Sequence, residues 1–183
     1  LIAFMREKLA AYGYVEVETP TILRDKLWRT SGHWDNYREN MFFLEREEEI
    51  YALKPMNCPG GMLMYKEEKH SYRELPLKVA EFGKVHRYER SGVLAGLFRV
   101  RGFTQDDAHI FTTPEALQAS VVEAIHFTDE VYKTFDFDYH VELSTRPVKS
   151  TGTDEQWEIA TKGLRSALEE LKIPYKINEG DGA

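Results

Sequence analysis

Residues 98–111 restrict the fold more than any other stretch, because apolar and polar residues alternate along them with the period of an extended strand. Alternation sends Arg99, Arg101, Phe103, Gln105, Asp107 and His109 to one face. A strand this long needs sheet neighbours to take its hydrogen bonds. A second strand is expected just upstream, over Leu77–Glu89, with the Gly-bearing loop Arg90–Leu97 between the two. Its end, His86-Arg87-Tyr88-Glu89, puts Arg87 and Glu89 on one face of the same hairpin. Two readings of this face stand. One is a pair of salt-bridged surface strands. The other is a binding site: arginine forks match phosphate oxygens, Glu89 can accept from an exocyclic amine, and Phe103 offers a flat surface to a base. Gln105 and Asp107 can hold an ammonium or a hydroxyl. Phe103 and His109, in register with the charges, favour the site.

The rest of the pattern predicts an α+β fold, an antiparallel sheet flanked by helices. Ile2, Met5, Leu9 and Tyr12 have helical spacing, and Gly13 stops that helix. Val15 and Val17 alternate with Glu16 and Glu18, and Pro20 ends the strand. Residues 28–40 read as a loop with a short helix. Met41–Leu44 and Ile50–Leu53 flank an acidic run, a hairpin whose charged tip serves solubility. Pro59 opens a helix to about Lys69. Thr113 caps a long helix, with Pro114 in its first turn, that reaches Phe135. A strand at Val141–Leu143, a helix at Asp154–Leu171 and a strand at Tyr175–Ile177 complete the chain.

Composition narrows the function classes. With 183 residues, 42% of them hydrophobic, the chain can bury a real core. The net charge of −7 excludes a generally basic nucleic-acid binder, so any nucleic acid must meet a local patch. One cysteine excludes an internal disulfide and suits a reducing, cytoplasmic setting. No apolar run is long enough for a membrane span, and no signal peptide is evident. The chain opens directly into helical periodicity and stops in a loop, as a piece of a larger protein would.

Several residues keep two readings on type alone. Cys58, in Met56-Asn57-Cys58-Pro59-Gly60, is a small buried thiol or a metal ligand; His109 is a strand histidine or a metal ligand. The two are far apart in the chain, without the short spacing of a zinc finger. Lys54 and Arg73 are expected at the surface, with a nucleic-acid path as the alternative. Arg146 is read as structural, and Trp28, Trp34 and Trp157 as packing residues.

His86-Arg87-Tyr88-Glu89, the loop and Arg99 resemble motif 2 of class II aminoacyl-tRNA synthetases. The segments 56–60 and 102–111, Leu143-Ser144-Thr145-Arg146-Pro147, and Glu179-Gly180-Asp181-Gly182-Ala183 resemble the threonyl-type members. Residues 13–20 are similar to motif 1, which in this class builds the dimer interface. The resemblance implies the class II catalytic fold, truncated before motif 3. Residues 1–183 would be the N-terminal part of one catalytic domain, with editing and anticodon-binding domains absent. It implies an ATP-dependent ligase that activates L-threonine and charges tRNA(Thr), with Mg²⁺ accompanying ATP, and a homodimer.

Roles follow by the same resemblance. Arg87 would grip the α-phosphate and the substrate carboxylate as the catalytic group; Glu89 would read the adenine amine; Arg99 would meet the γ-phosphate; and Phe103 would stack on adenine. Gln105 would lie beside the substrate amine and Asp107 would hold its hydroxyl. Cys58 and His109 would bind Zn²⁺. Gly61 departs from the pattern, where a histidine is common. The third zinc ligand and the motif 3 arginine would lie beyond Ala183, so the segment alone is expected to be incomplete. The alternatives are a prolyl- or seryl-type enzyme sharing motif 2, or a non-catalytic paralogue that binds nucleotide or tRNA.

Overall fold

Helical spacing at the start of the chain produces α1 (Ile2–Ala11), with Leu9 buried. Gly13 then adopts φ 78°, a left-handed turn that favours glycine, and the chain enters β1 (Val15–Glu16). The computed structural model describes residues 1–182. It comprises two units: Leu1–Ser71 with Leu77–Ile110, and Tyr72–Pro76 with the residues from Phe111 onward.

In the first unit β1 pairs parallel with β5 (Leu77–His86), Val15 opposite Val79 and Glu16 opposite Ala80. The other neighbour of β5 is β6 (Gly102–Phe111). The backbone N–H of Arg87 donates to the carbonyl of Arg101 at 2.8 Å. The end of β5 therefore meets the start of β6, and the two strands run in opposite directions, as expected of the hairpin. The parallel join to β1 departs from a purely antiparallel sheet. Val79, Ala80 and Val85 are buried along β5, which is covered on both faces as a central strand should be.

A second sheet is antiparallel, in the order β2 (Ile22–Arg24), β4 (Glu49–Leu53), β3 (Phe43–Arg46). Its hairpin tip holds Glu47 and Glu48, both at positive φ. Trp28 from α2 (Asp25–Thr30), Met41 and Ala52 are buried together, and Leu23, Trp34, Tyr37 and Phe43 pack around them. Trp34, beside α2 in the short α3 (His33–Asn36), carries the guanidinium groups of Arg29 and Arg38 at 3.9 and 4.5 Å from its ring centre. Trp28 and Trp34 are packing residues, as the sequence suggests. The last helix of the unit, α4 (Cys58–Glu67), has Pro59 in its first turn.

The second unit begins differently from the single long helix expected. Thr113 does cap, its hydroxyl accepting from the Ala116 N–H at 3.4 Å, but it caps a tight 3₁₀ turn over Pro114–Ala116. The α-helical hydrogen bonding starts at α5 (Leu117–Thr134). α5 lies against α6 (Asp154–Glu170), where a Cβ on Gly163 would come within 2.7 Å of Leu117 Cδ2. β7 (Val141–Ser144) and β8 (Tyr175–Asn178) pair parallel. Arg146 is structural as expected, bonding Ser150 in the loop before α6 and Asp154 at the start of that helix. That helix opens on a full capping box: the Thr153 hydroxyl accepts from the Gln156 N–H, and the Gln156 amide oxygen accepts from the Thr153 N–H at 2.9 Å. Thr153→Ala should cost about 1 kcal/mol of stability, measured by urea denaturation, with Thr153→Ser close to neutral. No helix is long and apolar enough to cross a membrane among the described residues.

Candidate functional site

The pleat of β6 sorts its residues cleanly. Phe103, Gln105, Asp107 and His109 are half-buried, while Gly102, Thr104, Asp106 and Ala108 are exposed. The face singled out by sequence is thus the sheltered one. Arg99 and Arg101 fall outside it, because the strand starts at Gly102 rather than Phe98. Arg99 instead forms an isolated bridge with Ala95 across the loop.

At the far end of this face a sulfur, an oxygen and a nitrogen converge. Donor atoms of Cys58, Asp107 and His109 all lie within 4.8 Å of one another. Cys58 stands in the first turn of α4, brought there by the loop Lys54–Asn57. Gly61 faces the histidine ring; a Cβ there would stand 3.4 Å from His109 Nδ1, in ordinary van der Waals contact. Cys58 is exposed rather than a small buried thiol; partial desolvation still pushes its thiol up, and the Asp107 carboxylate adds to the shift. Tetrahedral zinc with Zn–S about 2.3 Å and Zn–N about 2.0 Å needs donors this close together. A thiolate and an imidazole are also the donors such a borderline-soft cation selects. The group fits a zinc ion.

The near end of the face has a different character. The Arg87 Nε donates to the Pro55 carbonyl at 3.2 Å, and its guanidinium carbon sits 5.1 Å from the Phe103 ring centre. Glu89 accepts from Arg99 Nε at 3.1 Å and Nη2 at 3.0 Å. Glu89 is largely covered and Arg99 largely open, at 14% and 58% side-chain exposure. Any anion that draws Arg99 away would therefore release a sheltered carboxylate. These four residues, with Leu97, Phe98 and Val100, line a cavity of about 340 Å³. Arg101 is not on this face. Its Nε donates to the Glu89 carbonyl at 3.0 Å and its Nη2 to the Ser91 hydroxyl at 3.3 Å, with the Tyr88 ring 5.5 Å away. It ties down the loop instead.

Beneath both ends lies a feature the sequence reading missed. Lys54 is not at the surface: it is 1% exposed, with its Nζ 2.6 Å from Glu81 Oε1 and 2.9 Å from the Thr19 hydroxyl. Glu81 also accepts from the Thr19 N–H at 3.0 Å. Gly60 closes the cluster from α4, since a Cβ there would stand 3.0 Å from Thr19. The Lys54 carbonyl accepts from the His86 N–H at 2.8 Å. One buried ion pair thus joins the segment after β1, the loop to Cys58 and the central strand that leads to Arg87. Arg73, by contrast, is exposed as expected.

The arrangement has known counterparts. The description "tRNA synthetase class II core domain (G, H, P, S and T)" matches residues 41–174. The chain is 58% identical, over 98% of its length, to the threonine--tRNA ligase of Finegoldia magna, and spans 28% of that relative. Among solved structures, the RNA binding domain of threonyl-tRNA synthetase from Cryptosporidium parvum Iowa II superposes with a TM-score of 0.94 and 47% identity. That match takes in all of this chain and 46% of the other. Giardia lamblia prolyl-tRNA synthetase, solved with prolyl-adenylate, superposes less well, with a TM-score of 0.63 and 25% identity over 72% of this chain and 28% of that one. The α+β fold is that of the class II core, and the chain, which matches part of the length of threonyl-type relatives, belongs to the tRNA synthetase class II core-domain family.

Proposed function

We propose that this chain is part of the catalytic core of an ATP-dependent ligase that joins L-threonine to tRNA(Thr). The observation that carries the reading is the single sheltered face of β6, with a Cys58–Asp107–His109 donor group at one end and an Arg87–Phe103 pair at the other. A face with a metal-type pocket beside a phosphate-and-base pocket suits the joining of an amino acid to a nucleotide. The 58% identity to a threonine--tRNA ligase supports the same reading, against 25% for the prolyl enzyme structure.

In this scheme the Arg87 fork holds the α-phosphate of ATP and the threonine carboxylate in line, so that the carboxylate attacks phosphorus and pyrophosphate leaves. Arg99 leaves Glu89 for the γ-phosphate, and Glu89 then accepts from the adenine amine. Phe103 stacks on adenine. ATP would bring Mg²⁺ with it, which would offset charge on the phosphates. No protein nucleophile is needed, because positioning and charge stabilisation do the work. Cys58 and His109 would hold Zn²⁺, which supplies a Lewis-acid ligand site for the amine and hydroxyl of threonine. Gln105 lies on the same face to meet the amine, and Asp107 to accept from the hydroxyl. A site that engages the hydroxyl rejects valine far more strongly than an apolar pocket could.

A homodimer through the motif 1 region belongs to the same proposal. It is supported by the apolar surface there, with Ile2, Val15 and Ile22 each more than half exposed. A single thiol and the lack of a membrane-crossing helix among the described residues suit a cytoplasmic enzyme.

The test is amino-acid-dependent exchange of pyrophosphate into ATP, run on a full-length ligase carrying this segment and on the 183-residue chain. Threonine should drive exchange in the full-length protein, with valine and proline near background. The isolated chain should show none. Exchange driven by proline in the full-length protein would replace the threonine assignment, and robust threonine exchange by the chain alone would show the segment to be sufficient.

A further inference from the structure

Asn57 is bonded in a way that folding alone does not explain. It is the cap residue of α4, where an asparagine side chain ordinarily accepts from an N–H of the first turn. Here it makes no capping bond. The residue is completely buried, and its Oδ1 has no hydrogen-bond partner. Its place also depends on Gly83 in β5, where a Cβ would stand 2.0 Å from that oxygen. A forgone cap, an orphaned buried acceptor and a glycine inside a central strand each work against stability.

One contact is gained in return. Asn57 Nδ2 donates to Asp107 Oδ2 at 3.2 Å. The other carboxylate oxygen, Oδ1, accepts from the Ala108 N–H at 3.0 Å. Two donors from different directions fix the carboxylate plane. The amide cannot turn over without setting its own oxygen against Asp107. Local rules broken together around one contact point to function.

We propose that Asn57 is a positioning residue: it aims the Asp107 carboxylate at the substrate hydroxyl and so sets the preference for an amino acid with a β-hydroxyl over one with a methyl in its place. This rests on the assignment of Asp107 to that hydroxyl. The remaining lone pairs of a fixed carboxylate face the pocket shared with Cys58 and His109. A carboxylate free to rotate loses that aim, and small misplacements at a reacting centre are costly in rate.

In a full-length ligase carrying this segment, Asn57→Ala should lower kcat/KM for threonine about 10- to 100-fold. The KM for ATP should stay within about twofold, since Arg87 is held from this loop through the backbone carbonyl of Pro55 and not through the Asn57 side chain. Serine, which keeps the hydroxyl, should lose as much as threonine, while valine should not. Gly83→Ala should reproduce the defect by evicting Asn57. The double variant should be no worse than Asn57→Ala, because the clash is then gone. Threonine kcat/KM within about threefold of the parent in Asn57→Ala would overturn the proposal. So would a parallel loss for ATP, or multiplying losses in the double variant. Asp107→Asn separates the two layers. Unchanged threonine selectivity there refutes the role of Asp107 itself; lost selectivity there with none lost in Asn57→Ala refutes only the positioning.

Discussion

Lys54→Ala should cost the chain about 3–5 kcal/mol, among the largest single losses open to it. The side chain is 1% exposed and Glu81 is 5% exposed, so removal leaves a carboxylate uncompensated in the interior. The remaining partners of Glu81 are neutral: the Thr19 N–H and hydroxyl. Conservative changes that remove both charges should be gentler. In Lys54→Met with Glu81→Gln the glutamine oxygen still accepts from the Thr19 N–H, and a methionine fills the stem of the lysine. The double variant should recover most of the loss. Urea denaturation of the chain measures both. A loss under about 1 kcal/mol for Lys54→Ala would mean that the pair is not buried in solution.

Arg87→Ala should separate activity from stability. In a full-length ligase it should lower threonine-dependent pyrophosphate exchange by about 10²–10³-fold, because in the proposed scheme one fork serves both the phosphate and the carboxylate. Arg87→Lys should be nearly as damaging, since an ammonium cannot make the paired planar contacts. The fold should hardly notice. Arg87 makes one hydrogen bond to Pro55 and rests on Phe103, both replaceable by water or by the side chains around the cavity. A melting temperature within a few degrees of the parent, with exchange lost, is the expected pattern. Exchange within tenfold of the parent would remove Arg87 from the catalytic role proposed for it.

The two losses differ in how well the sequence announced them. Arg87 lies next to a strand whose alternation is strong, and period-two reasoning from Phe103 to His109 needs only local information. Lys54 belongs to a cluster whose partners are Thr19, between β1 and β2, and Glu81, in β5, so nothing near it in the chain signals burial. Residue type then argues for the surface, and argues wrongly. The same limit applies to the start of β6. Arg99 and Arg101 continue the alternation on paper, but their side chains are claimed by Glu89 and by the loop they anchor. The parallel join of β1 was hidden because that strand is two residues long. Cys58 and His109 meet only through the fold, and it was the resemblance to a family that drew them together beforehand. Asn57 stood inside a stretch already marked as informative. Its role emerged only from the bond to Asp107 and from the side-chain space at Gly83 that Asn57 fills.

One metal ion shared by Cys58 and His109 underlies the threonine assignment. X-ray absorption at the zinc edge of the metal-loaded full-length protein tests it most directly. One sulfur at about 2.3 Å with nitrogen or oxygen neighbours near 2.0 Å is the expected shell, and Cys58→Ser should delete the sulfur while His109→Ala weakens the nitrogen shell and the zinc content. Stoichiometric zinc with no sulfur neighbour, or a sulfur shell that survives Cys58→Ser, would contradict it.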